Sequence, residues 1–69
     1  MTNQKLAAAY RGFIKISNFG IEYLEQTPEQ WRGEVLRLIE TQLDDYAARY
    51  GFTRRELAAR ALEWEARRK

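Results

Sequence analysis

From Trp31 to Tyr50 the apolar positions return every three or four residues, at Trp31, Val35, the adjacent Leu38 and Ile39, Leu43, Tyr46 and Tyr50. At about 100° per residue these side chains, with Leu36 and Ala47, cover roughly half the circumference of a helix. Glu34, Arg37, Glu40, Thr41, Asp44 and Asp45 fill the other half. Thr27 is placed to cap the first orphan N–H groups, Pro28 suits a first helical position, and Gln30 completes a capping box. Gly51 supplies the left-handed residue that ends a helix at little steric cost. The pattern predicts a helix over 28–50, with an apolar face too wide for one neighbour.

Upstream, residues 3–26 admit two patterns. Phe13–Ile16 and Ile21–Leu24 flank Asn18-Phe19-Gly20, as in a short hairpin over residues 13–24. Arg11, Lys15, Asn18 and Glu22 recur at steps of 4, 3 and 4, which places them on one face of a helix and not of a strand. We take the helical reading, with a kink or interruption near Asn18–Gly20. Its apolar arc runs from Leu6, Tyr10, Phe13, Ile21 and Leu24 to Ala9, Ile16, Phe19 and Tyr23, about two-thirds of the circumference. Gly20 is read equally as a helix break or as a place of close approach for another backbone. After Gly51, Phe52 can staple back onto the apolar face, and Thr53 with Glu56 forms a second capping box. That start predicts a third helix over 54–67, burying Leu57, Ala58, Ala61, Leu62 and Trp64. Glu56–Arg60, Glu63–Arg67 and Glu65–Lys69 are spaced i,i+4 in the favourable orientation.

The fold class is therefore all-α: a single compact antiparallel domain of two long helices and a shorter third. With 69 residues and no Cys or His, neither disulfides nor a Cys/His zinc site can supplement a small core. Nine aromatic residues are more than one three-helix monomer can bury fully, so we expect a homodimer through the first and central helices. Tyr10, Phe13, Ile16, Leu38 and Tyr46 are the expected dimer contacts. The net charge of +2 is small but uneven. Residues 1–27 hold three bases and two acids, residues 28–50 three and five, and residues 51–69 six and three. An acidic centre and a basic end suit electrostatics between elements or a basic surface facing a partner. No run has the length of a membrane span and the N-terminus lacks a leader pattern, so a cytoplasmic protein with no membrane partner is expected.

Catalysis finds no group to carry it. The one Ser, Ser17, lies on an apolar face without a base, and no glycine-rich loop could cradle phosphate. Glu40 and Asp44 share a face but lack the further oxygen ligands a cation needs. No enzyme activity, metal or cofactor is expected. Arg54 and Arg55 open the third helix, where the dipole favours carboxylates, which suggests a surface kept for an acidic partner.

LDDYAARYGFTRRELAARALEW, residues 43–64, resembles the junction and second helix of ribbon-helix-helix repressors. The resemblance covers about a third of the chain and consists of common helix signals. It implies an obligate dimer that reads DNA with a two-stranded ribbon, with Thr53, Arg54 and Arg55 on phosphate. Ile21–Gln26 would have to form that ribbon, and it carries Glu22 and Glu25 without Arg or Lys. DNA thus stands second to protein as the expected partner. The leading expectation is a small non-enzymatic regulator that inhibits or redirects a cellular protein. It is similar in general type to the compact inhibitors encoded by phages and other mobile elements. Phe19, Tyr23, Arg54, Arg55 and Arg60 are the expected partner contacts, because aromatic and Arg side chains dominate interface centres.

Overall fold

The computed structural model describes residues 3–68 and contains α1 (Asn3–Gln26), α2 (Glu29–Arg49) and α3 (Arg54–Arg68). Among the described residues there is no strand. α1 continues through Asn18, Phe19 and Gly20, so the hairpin alternative and the interruption are both corrected. The ribbon goes with them, since Ile21–Gln26 is the last part of that helix. Its polar stripe stays in water while α2 and α3 pack on different parts of its apolar arc, an arrangement open only to a helix.

Glycine lets α1 and α2 approach closely. A Cβ on Gly20 would lie 2.9 Å from Cγ2 of Ile39, so Gly20 is a notch for a side chain of α2. A Cβ on Gly12 would collide with the Tyr46 hydroxyl, with Cζ only 3.0 Å away. Gly33 meets nothing within 4 Å and serves no such purpose.

The turns divide into one that follows the expectation and one that does not. Gly51 adopts φ +80°, Gly51 N–H donates to Ala48 O at 3.0 Å and Phe52 N–H donates to Ala47 O at 3.0 Å. These bonds make a Schellman motif, with Phe52 packed back against the core. Thr53 and Glu56 then cap α3 reciprocally: Thr53 N–H donates to Glu56 Oε1 at 3.0 Å and Glu56 N–H donates to Thr53 Oγ1 at 3.1 Å. The bond from the Thr53 backbone, with help from the Thr53 side chain, holds the Glu56 carboxyl below its ordinary range. At the other turn the expected Thr27–Gln30 box is absent. α2 starts at Glu29 with Pro28 as its N-cap and no side-chain cap. The Thr27 hydroxyl instead donates to Tyr23 O at 2.6 Å, closing the end of α1, and Arg32 Nε donates to Thr27 O at 3.0 Å.

The core is small and lies towards one end. Tyr10 and Phe13 of α1, Ala47 of α2, and Leu57 and Ala61 of α3 form its buried cluster, of which Leu57 is the largest fully buried side chain. Tyr10 faces Trp64 with ring centroids 5.8 Å apart, and Phe13 faces Tyr46 at 6.4 Å. Tyr10 and Phe13, expected at a dimer seam, are 8% and 4% exposed and keep their rings within one chain, packed in the core with Leu57 and Ala61 of α3. Leu62 is corrected in the opposite sense. It is 69% exposed, because α3 turns Leu57 and Ala61 inward and Leu62 lies about 100° round from Ala61. Glu63 pairs with Arg67, Glu65 pairs with Arg68 at 3.8 Å, and Lys69 lies outside the described residues.

Candidate partner-binding surfaces

α3 rests on Tyr10, Phe13 and Ala47, nearer the start of α1 and the end of α2. Beyond it the α1–α2 hairpin continues as a pair with apolar side chains on both sides. Phe19, Ile21, Tyr23, Trp31, Leu36 and Leu38 are all exposed. Ile21 and Tyr23 are two residues apart, as are Leu36 and Leu38, so each pair points about 160° apart around its helix. The hairpin end is consequently two-sided, with Gly20 and Ile39 closing the seam between the sides.

On the side away from α3 a groove of about 550 Å³ runs between the helices. Ile16, Phe19 and Tyr23 form one wall, Val35 and Leu38 the other, with Gly20 and Ile39 at the floor and Lys15 and Gln42 at one end. It continues past Tyr23 and Leu38 to Trp31 and Glu34 near the turn. Phe19 and Tyr23, expected against a foreign protein, and Ile16 and Leu38, expected between copies, thus belong to one surface. Phe19 is 70% exposed and Leu38 66%.

The side that carries α3 differs in chemistry. Ser17, Leu43, Arg54 and Arg55 line a concavity at the start of α3. One helical turn along α1 from Ser17 comes Ile21, and a second concavity holds Leu24, Arg32 and Leu36. The arginines expected to act together are in three environments. Arg54 bridges Glu40 and Asp44 of α2, each at 3.3 Å, so α2's acidic face meets the basic start of α3 within one chain. The Arg60 guanidinium sits over the Phe52 ring at 5.1 Å, and Arg55 is exposed.

Tyr46 ties the two long helices together. Its hydroxyl donates to Ala9 O at 3.1 Å, beside Ala8 O at 3.5 Å, in the notch at Gly12. Burial, with Tyr50 as neighbour, pushes its phenol up to about 12. This role was not foreseen; Gly12 lying on the same helix as a wide apolar arc was the available signal.

Among the described residues no group of three or more His, Cys, Asp or Glu side chains is placed to hold a metal, and no helix is long and apolar enough to cross a membrane. No protein-family model matches the chain, and comparison with curated proteins and with solved structures finds no match either.

Proposed function

We propose that this chain is a small, homodimeric, non-enzymatic regulator that acts by binding another protein. The observation that supports the reading best is the two-sided hairpin end, where Ile21 and Leu36 stand exposed on one side and Phe19, Tyr23 and Leu38 on the other. One such side suits a second copy, and the other remains for a target. The side shared with α3 sets exposed Ile21 beside Leu24 and Leu36, with Arg32 and Glu25 in one concavity and Arg54, Arg55 and Asp44 in the other. Asp44 is engaged by Arg54, which leaves Arg55 as the charge there for an acidic group on a partner with apolar anchors. Arg55 is the arginine we assign to the target, since Arg54 is engaged by Glu40 and Asp44. That engagement also disfavours DNA: a phosphate site at the start of α3 would have to draw Arg54 from two carboxylates.

The test compares immobilised wild type with Leu36→Glu and Arg55→Glu proteins in a lysate of the cells that encode the chain. Wild type should retain one protein at stoichiometric yield, and each variant should lose it while keeping its helical circular dichroism. Stoichiometric retention of nothing, or equal retention by both variants, refutes the reading. Retention of DNA with a log–log salt slope near −0.9 per phosphate would replace it with the repressor.

A further inference from the structure

The chain has more surface than its mass requires. A compact monomer of 8.2 kDa exposes about 4,500 Å². This chain exposes 5640 Å². Its radius of gyration is 13.0 Å, against about 11 Å for a compact domain of this length. It measures only 15 Å through its shortest dimension. The groove contributes to that surface. At their exposures, Phe19, Tyr23, Trp31 and Leu38 present on the order of 500 Å². Two such faces packed together bury roughly 1,000 Å² before any rim residue is counted, the size at which specific interfaces begin.

Its two ends are oppositely charged. Lys15 lines the groove at one end and Glu34 at the other. Among the described residues neither joins an ion pair. A two-fold axis lying in the contact plane, perpendicular to the length of the groove, would bring the lysine end of one copy over the glutamate end of the other, twice per dimer. A parallel stacking would instead set like charges together. We propose that the groove is filled by the same groove of a second copy, antiparallel, with Phe19 and Leu38 at the centre and Lys15 facing Glu34 across both ends. This rests on the homodimeric part of the reading above and names its seam.

Sedimentation velocity of the purified chain from 1 to 100 µM tests it. The expected result is a species of twice 8.2 kDa. Phe19→Glu should give a monomer with unchanged helical circular dichroism. Lys15→Glu and Glu34→Lys should each weaken the dimer about tenfold, and the double exchange should restore it to within about threefold of wild type. A wild-type monomer at 100 µM overturns the proposal, as does a dimer indifferent to Phe19→Glu. A double exchange no better than the singles overturns the antiparallel arrangement. A monomer that still captures a target fails this inference alone, whereas a dimer without a target fails only the regulatory reading.

Discussion

Gly12→Ala is the sharpest probe of how α1 and α2 are held together. In an ordinary helix interior the change stabilises by about 1 kcal/mol, because Ala loses less backbone entropy than Gly. At Gly12 the added methyl meets the Tyr46 hydroxyl and lies 3.0 Å from Cζ. The ring cannot swing away cheaply, since it packs against Phe13 and against Tyr50, the latter with ring centroids 5.2 Å apart. Displacing the hydroxyl from Ala9 O costs about 1 kcal/mol, which offsets the helix gain. Overpacking then leaves about 1–3 kcal/mol of net destabilisation. Against the 3–5 kcal/mol or so that a core of this size supplies, that is a large loss. Gly33→Ala is the matched control, because a Cβ there meets nothing within 4 Å and should raise stability by about 1 kcal/mol. Urea unfolding followed by circular dichroism at one fixed protein concentration reads both as shifts in midpoint at constant slope. The two variants should move in opposite directions, and Tyr46→Phe, which removes the obstructing hydroxyl, should shrink the Gly12→Ala penalty. A Gly12→Ala protein stabilised as much as Gly33→Ala would refute the notch.

Four further outcomes follow from the same geometry. The phenol of Tyr46 is raised to about 12, so its contribution is complete below the unfolded value near 10 and is lost as pH rises towards 12; the stability gap between wild type and Tyr46→Phe should narrow over that interval. Thr53→Ala should cost about 1 kcal/mol near neutrality, and Glu56→Gln should remove a component present above the unfolded carboxyl value and lost as pH falls through the lowered folded one, both read from urea midpoints. Arg54→Ala should cost no more than about 1 kcal/mol at low salt, and the cost should fade towards 1 M NaCl; persistence there would contradict an exposed ion-pair origin. Because the proposed dimer links folding to association, melting temperature should rise with protein concentration, by roughly 5–10 °C from 2 to 200 µM; a constant value would contradict that linkage.

The helices and the second turn were legible because each is specified locally. The 4-3-4 recurrence from Arg11 to Glu22 suits only a helix, and Gly51, Thr53 and Glu56 act on neighbours within a few residues. Thr27 was misread for a reason that is also local but ambiguous. A threonine between two helices can accept from the amides ahead or donate to the carbonyls behind, and the same letters serve both. Tyr10, Phe13 and Leu62 needed the path of α3, which periodicity does not contain. The arc of α1 spans both of its neighbours, and no spacing says which part α3 covers. The groove was half legible: Phe19 and Tyr23 stand out as partner contacts in the sequence, while their union with Leu38 required the register of α2.

That register also explains why the apolar excess sits where it does. α1 has 24 residues and extends about 36 Å, whereas α3 has 15 and extends about 22 Å. Anchored by the short Gly51–Thr53 connection and the Arg54 pairs to Glu40 and Asp44, α3 must start beside the middle of α2 and run towards Tyr10. It cannot reach the turn at Thr27. The side chains beyond its reach remain apolar even so: Phe19 and Tyr23 on α1, Leu36 and Leu38 on α2. An exposed apolar side chain contributes little to the stability of a lone copy, and contiguous exposed apolar patches are where soluble proteins meet partners. A short third helix on a long hairpin therefore leaves these side chains in water in a single copy, and they are the ones that the proposed dimer and target would cover.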